Sequence, residues 1–420
     1  MSRLRHATRT TFRSLHTRNF RLFFGGQLIS QAGTWMQTVA IVWVVLDLTD
    51  SGVALGLVTA AQFLPMLLLG AWAGVLADRV DRHHLMVATQ VAFTVVAVAL
   101  SALTLTDRAT VGAMYLLSAV FGVITAIDNP ARRVLVSELV DVEDVPNAVG
   151  LNSALMTGSR VLGPALAGLL ISGPGAAWCF VLNAVTYLAV IAALLRMDRS
   201  RFRSSPPVAR AKGQLREGLL YAWRTPILRL SLVLVGAVGI AAFNYPVTLP
   251  LLAERTFSGD ATTFTLLYAT MSLGSVAGAL TVARRTEIDA RYLVGSGIGL
   301  AVSTTVLAFA PVLPVAVLAA LPVGYSSIYL IAGCNTVVQL HADPSMRGRV
   351  LALTAVLFLG TTPIGGPIVG WISEVANPRV GVFVGAVGTA LATLWVVRQL
   401  RSGSADDRAP THDAESLAAA

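Results

Sequence analysis

Two long apolar stretches flank a short charged segment that reads GVLADRVDRHH at residues 74–84. The stretches lie near residues 53–77 and 86–106, and each is long enough for a helix to cross a hydrocarbon core of roughly 30 Å. Neither shows the alternation of polar and apolar residues that a membrane β-barrel requires. Because backbone groups in lipid must be satisfied internally, the segment predicts two membrane helices joined by a tight basic loop.

The same pattern recurs along the whole chain of 420 residues, of which 55% are hydrophobic and 13% charged. An ordinary soluble domain carries about 25% charged residues, so the composition excludes a soluble protein. The chain is predicted to be an all-α membrane protein with twelve transmembrane helices. The predicted spans lie near residues 20–46, 53–77, 86–106, 111–131, 147–171, 177–195, 228–252, 263–283, 292–311, 315–337, 349–373 and 380–397.

One long polar break divides the predicted spans into two sets of six, and landmarks recur at a similar spacing in both sets. Asn129 matches Asn335, and Gly163-Pro164 matches Gly366-Pro367. Such duplication is typical of transporters whose substrate site lies between the halves near the membrane midplane. The predicted organisation is a basic N-terminal segment (1–19), an N-terminal half (20–195), a central loop (196–227), a C-terminal half (228–398) and a disordered tail (399–420).

The net charge of +9 has a topological explanation. All but four of the 31 Lys and Arg residues lie in the terminal segments, the central loop and the loops on the same side; the exceptions are Arg108, Arg160, Arg255 and Arg379. The positive-inside rule therefore predicts a multi-pass protein of the inner (plasma) membrane with both termini and the central loop in the cytoplasm. Because topology accounts for the charge, nucleic-acid binding is not predicted.

The segment 74–84 resembles the signature of the major facilitator superfamily, in which glycine-x-leucine-alanine-aspartate-arginine is followed by basic residues. The resemblance implies a major facilitator fold and a conformational latch formed by Gly74, Asp78, Arg79 and Arg82. In this reading Gly74 permits close helix packing, and Asp78 faces the positive N-terminus of another helix, such as span eleven. The alternative is a basic loop that only fixes topology.

The segment 158–168 in span five, GSRVLGPALAG, resembles the glycine-proline motif of the superfamily's antiporters. Pro164 removes one helix hydrogen bond and bends the helix, while Gly163 and Gly168 permit close packing. The resemblance implies an antiporter-type kink that favours exchange or export. The alternative is a generic packing face of small residues.

Further segments are similar to the branch that includes the enterobactin exporter and macrolide efflux proteins. They are QLISQAGTWMQTVA at 27–40, NPARR at 129–133 and MRGRV at 346–350. The resemblance implies proton-driven efflux of small amphipathic molecules (drug, macrolide or siderophore-like), by a protein that works as a monomer among membrane lipids. An uptake symporter of the same fold and a passive channel remain as alternatives. Span four lacks the mid-membrane Arg of many drug–proton antiporters, so that relay cannot be transferred.

Four polar or aromatic residues inside the spans are candidates for the substrate cavity: Gln27, Gln31, Trp35 and Arg160. Charged groups in a membrane are costly and usually face a cavity or a partner. Arg160 lies about 20 Å from the cytoplasmic end of span five at 1.5 Å per residue. It is predicted to face the cavity or to brace span one through Gln31, with Asp47 as its counter-charge. The alternative is a structural Arg satisfied by carbonyl groups and water.

Asp47 and Asp128 are the candidates for proton coupling, because export requires a carboxylate that alternates between a proton and a partner. The competing interpretation of Asp128 is a simple ion pair with Arg132 or Arg133. No phosphate-binding loop is present, and the only lysine is Lys212, which argues against an ATP-driven pump. The His residues lie in tails and loops, so the chain is predicted not to be an enzyme and to hold no catalytic residue, metal or cofactor.

Overall fold

The computed structural model describes residues 12–203, 214–285 and 288–406. In these ranges it contains twelve helical segments long and apolar enough to cross a membrane, which confirms the predicted all-α membrane fold. The spans of the first half are Arg18–Thr49, Gly52–Arg79, Arg82–Leu105, Val111–Glu138, Val145–Ser172 and Ala176–Leu195. Those of the second half are Pro226–Ala241 with Tyr245–Leu251, Ala261–Ala283, Ala290–Ala308, Leu313–His341, Pro344–Gly360 with Thr362–Val375, and Pro378–Asp406.

Small polar residues cap the first turn of several spans. Their side chains accept a hydrogen bond from the backbone amide three residues later, which satisfies one of the free amides at a helix start. The residues that do this are Ser51, Thr110, Asp81, Asp260 and Asp289. Such caps allow consecutive spans to reverse direction within a few residues.

Four features of the helices were not predicted from the sequence. The last helix continues to Asp406, into the segment 399–420 that was predicted to be a disordered tail. Span seven is interrupted at residues 242–244, and span eleven is interrupted at Thr361. A short helix, Gln214–Arg224, lies in the region predicted as the central loop. It exposes Leu219, Leu220 and Trp223 while Glu217 pairs with Arg349 of span eleven at 2.6 Å.

We call the end of the bundle where span one begins the near end, and the opposite end the far end. The buried apolar side chains form one cluster at the far end, and this cluster contains residues of both halves, such as Leu46 and Leu251. At the near end the core consists of two separate clusters, one in each half. The two halves are therefore joined at the far end and separate at the near end.

Spans two and eleven make the closest backbone contact between the halves. A Cβ atom placed on Gly56 would lie 2.5 Å from Pro367 Cα and 2.6 Å from the Gly366 carbonyl oxygen. One placed on Gly52 would lie 2.5 Å from the Gly370 carbonyl oxygen. Only glycine permits this approach, and the contact closes the far end.

Polar contacts reinforce this closure. Glu374 of span eleven accepts hydrogen bonds from Ser51 Oγ (2.7 Å) and from the Val53 amide (3.0 Å) at the start of span two. Arg255 of span seven pairs with Asp50, with 3.0 Å between Nη2 and Oδ1. Each contact links one half to the other.

A cleft lies between the halves towards the near end. Spans two and four line one wall, with Met66, Gly74 and Asn129, and span eleven lines the other, with Ala352 and Val356. The structure is thus closed at the far end and open between the halves at the near end.

Candidate functional site

A cavity of about 190 Å³ lies between the two halves at the level of the interruptions in spans seven and eleven. The first half contributes Trp35, Thr38, Phe63 and Arg160. The second half contributes mainly aromatic and hydroxyl side chains, which are Phe243, Tyr245, Tyr268, Ser272, Ser275, Ser327, Phe358 and Thr362. A site built from both halves is what the duplication predicts.

The helix interruptions position the aromatic side chains of the second half. Asn244 turns its side-chain amide back to the Ile240 carbonyl group (2.7 Å), which satisfies an acceptor freed by the break in span seven. Phe243 then meets Phe358 edge to face, with 4.8 Å between ring centroids. Tyr245 and Ser327 share a hydrogen bond of 2.8 Å. Non-helical backbone at this depth in a membrane protein is tolerated where it lines a cavity, as it does here.

Arg160 projects into the cavity from span five and is accessible to solvent through it. Its guanidinium carbon lies 5.2 Å from the centroid of the Trp35 ring, within the range of a cation–π interaction. No acidic residue is among the described residues that line the cavity. Arg160 therefore places a positive charge there without a carboxylate partner.

The residues of the predicted kink hold spans one, five and eight together around Arg160. A Cβ atom on Gly163 would lie 2.7 Å from the Ala32 carbonyl oxygen and against Trp35, so glycine allows span five to pack directly on span one. Gly168 packs in the same way on Thr265 of span eight. Pro164 lies within one continuous helix, and an antiporter role for this segment stays a prediction.

A second polar centre lies inside the first half, towards the near end. Asp128 and Arg132, one turn apart on span four, form a buried ion pair. Asp128 also accepts hydrogen bonds from Thr89 Oγ1 (2.8 Å) and Gln90 Nε2 (3.0 Å) of span three. The pair with Arg132 is the contact that the competing interpretation of Asp128 predicted, and the structure adds two neutral donors around it.

The predicted cavity candidates separate into two groups. Trp35 and Arg160 line the cavity, but Gln27 and Gln31 do not. The side-chain amide groups of these two glutamines lie 3.1 Å apart beside the ion pair. With its amide oxygen turned towards Arg132, Gln31 accepts a hydrogen bond from Arg132 Nη2 at 3.1 Å. Gln31 and Trp35 are one turn apart on span one, so this helix face joins the ion pair to the cavity.

Asp47 lies at the far end and not beside Arg160. It lines a separate pocket with Trp43, Thr104 and Asp107. Twelve residues of span one separate it from Trp35, which corresponds to about 18 Å along the helix. The structure therefore does not bring together Arg160 and its proposed counter-charge.

The predicted latch residues lie around the near end of span two. Gly74 lines the near-end cleft, and Arg79 is exposed. Arg82 pairs with Glu138 at the end of span four, at 2.6 Å, and so binds within its own half. The side chain of Asp78 lies outside the described part of the structure, and its contact with span eleven stays a prediction.

Sequence reasoning missed most of the cavity lining contributed by the second half. A signal was present in two places, since AFNYP at 242–246 and GTTP at 360–363 insert turn-forming and polar residues into apolar runs. Apolar segments interrupted by glycine or proline are typical of discontinuous helices beside a transport site. Phe63 and Tyr268 carry no comparable signal.

Residues 9–419 match the family of major facilitator transporters described as "Transmembrane secretion effector". The chain belongs to this family. Its members and the relatives below are transporters and not enzymes. This confirms the predicted transporter family and the prediction that the chain is not an enzyme.

The chain is 24% identical to the enterobactin exporter EntS of Salmonella choleraesuis over 395 residues, which cover 91% of this chain and 93% of the relative. It is 26% identical to the multidrug efflux pump Tap of Mycolicibacterium fortuitum over 361 residues, covering 83% and 88%. Two further curated relatives match over only 66% and 56% of their own length. The predicted resemblance to the branch of the enterobactin exporter is confirmed.

The fold is similar to that of a bacterial homologue of the iron transporter ferroportin, solved in an inward-facing state. The TM-score is 0.70 at 14% sequence identity, with 91% of this chain and 98% of that chain covered. This likeness concerns the fold alone.

Proposed function

We propose that the chain exports small amphipathic molecules by proton-driven alternating access. The observation that carries the proposal is the central cavity, because it is built from both halves, closed at the far end and adjacent to a cleft at the near end. A cavity that communicates with one side at a time is the arrangement that alternating access requires. A passive channel needs a continuous path, which the interlocked spans two and eleven oppose.

The near end is assigned to the cytoplasm of a cell with an inner (plasma) membrane. It carries the arginine-rich segments that the positive-inside rule places there. In this orientation the structure represents a cytoplasm-open state, in which a substrate from the cytoplasm or the inner leaflet enters the cavity. Closing the near end would bring span two towards span eleven, where Gly74, Asp78, Arg79 and Arg82 act as the latch. Both walls of the described cavity come from one chain, which supports a monomer embedded in lipid as the working unit.

Asp128 is the proposed proton carrier. Its carboxylate is buried and held by Arg132, and protonation would remove the charge that holds this arginine. Arg132 contacts Gln31, and Gln31 is one turn from Trp35 in the cavity. A change in the ion pair can thus reach the substrate site through one face of span one.

The test is transport of fluorescent and antibiotic substrates by cells that express the protein, with and without a protonophore. Export lowers accumulation, and the protonophore restores it. Asp128→Asn is expected to abolish export, while Asp107→Asn is expected to leave it unchanged. Asp107 is an exposed loop residue with a positive φ of 52°, a conformation that asparagine adopts readily.

Higher accumulation in expressing cells would instead establish uptake and refute the proposed direction. Export that persists at full rate in Asp128→Asn, with the same pH dependence as the wild type, would remove Asp128 from the coupling mechanism. A charge-neutral Asp128→Asn, Arg132→Gln double variant separates coupling from folding. If it inserts normally yet does not respond to a proton gradient, the role of the pair is in coupling.

A further inference from the structure

The charge balance of the central cavity differs from what a cationic drug requires. Arg160 is the one charged residue among the described residues that line it, and the other lining groups are aromatic, aliphatic or hydroxyl side chains. The nearest buried carboxylate described in span four, Asp128, is already paired with Arg132. The described lining of the cavity therefore carries a net charge of +1.

An uncompensated charge in a membrane interior is costly, and a partner that neutralises it gains correspondingly. The guanidinium of Arg160 offers paired N–H donors that match the two oxygens of a carboxylate. A second cation in the same cavity would be repelled by Arg160.

The ring contacts indicate what lies beside the charged group of a ligand. Trp35 stacks on one side of Arg160, and Phe243, Tyr245, Tyr268 and Phe358 form an aromatic wall in the second half. Aromatic side chains prefer ring-bearing partners in offset or edge-to-face geometry. Ser272 and Ser327 add hydroxyl groups that can bond to polar substituents.

We propose that the substrate class of this cavity is the amphipathic aromatic anion, a molecule with a carboxylate or similar acidic group beside an aromatic ring, and that cations are rejected. Arg160 binds the acidic group, and the aromatic wall binds the ring. This inference rests on the proposed function to the extent that it takes the cavity as the transport site.

The test is equilibrium binding to the purified full-length protein in lipid nanodiscs, without any proton gradient. The probes are fluorescein and rhodamine 123, which share a xanthene ring system bearing a phenyl ring but carry opposite charges. The wild type is expected to bind fluorescein at least tenfold more tightly than rhodamine 123. Arg160→Gln is expected to weaken fluorescein binding roughly 10- to 100-fold, because a charge-assisted pair is lost, and to leave rhodamine binding equal or stronger.

Two controls accompany these measurements. Arg201→Gln removes an exposed arginine on the near-end surface and is expected to change neither affinity. Arg160→Lys keeps the positive charge but lacks the planar guanidinium that binds a carboxylate through two N–H groups. It is expected to retain an intermediate preference for fluorescein. If Arg160→Gln does not fold, the inference is tested by the preference of the wild type for fluorescein over rhodamine 123 and by the affinities of Arg160→Lys for the two probes.

Tighter binding of rhodamine 123 than of fluorescein, binding of neither probe, or unchanged fluorescein binding without Arg160 would overturn the inference. None of these results depends on proton coupling or transport direction. Failure of the proposed function appears separately, as binding of the anion without gradient-driven export in the transport assay.

Discussion

Gly56→Ala is expected to shift the protein from the state described here towards one that is open at the far end. The added Cβ would lie 2.5 Å from Pro367 Cα, 2.6 Å from the Gly366 carbonyl oxygen and 2.7 Å from Pro367 N. These are backbone atoms, so no side chain can rotate away. Ordinary contact needs about 3.5–4.0 Å between carbon atoms, and spans two and eleven must therefore separate by roughly 1 Å.

Overpacking of this kind costs about 1–3 kcal/mol in a packed interior. The strain acts only where the two spans touch, which is in the far-end-closed state. An energy difference of this size changes the ratio of two conformations about 5- to 150-fold. The variant is therefore expected to populate the far-end-open state much more than the wild type does.

The assay is the distance between spin labels on the two halves at the far end, introduced as Asp107→Cys and Val312→Cys. Both positions are exposed, and the native Cys179 and Cys334 are buried, so labelling can be specific. The matched control is Gly112→Ala, whose added Cβ would meet nothing within 4 Å. If the distance distribution of Gly56→Ala equals that of the wild type and the control, the assignment of this contact as the far-end closure is wrong.

Two further predictions concern local stability. Arg82→Gln is expected to lower the free energy of unfolding in detergent by about 1.5–3 kcal/mol, because it removes the charge-assisted contact of 2.6 Å between Arg82 and Glu138; a loss no greater than that of the surface variant Arg201→Gln would contradict the importance of this pair. At the start of span eight, the Thr263 amide donates to Asp260 and lowers the pKa of that carboxyl below its ordinary value of 3.8. This contribution is fully present above the unfolded pKa and is lost as the pH falls through the folded one, so Asp260→Asn, which keeps an acceptor, should flatten the stability curve below about pH 4. Curves for wild type and variant that coincide below pH 4 would refute this.

The twelve spans were predictable because each is a long, mainly apolar segment bounded by polar residues. The predicted start of span eight at residue 263 differs from the observed Ala261 by the two residues that follow its cap, Asp260. Average hydropathy over a window does not register a break of one to three residues. For that reason the interruptions at 242–244 and Thr361, which shape the cavity, were not predicted.

The candidate site was predictable in its depth but not in its contacts. Counting residues along span five placed Arg160 well inside the membrane, and the structure places it in the cavity against Trp35. Which partner it meets depends on how spans one, five and eight pack, and no local pattern specifies that. The i,i+4 spacing of Asp128 and Arg132 did indicate their pairing, because such neighbours share a helix face.

Glu374 fixes the register in which the two halves meet at the far end. Its carboxylate accepts a hydrogen bond from the Val53 amide in the first turn of span two. A free amide at the start of a helix in one half is thus satisfied by a residue of the other half. If the halves met one helical turn out of place, about 5.4 Å away, that amide and the glycine contact at Gly56 would both lose their partners. The contacts at the far end therefore specify one alignment of the two halves, and under the proposed alternating access each closure of this end would restore that alignment.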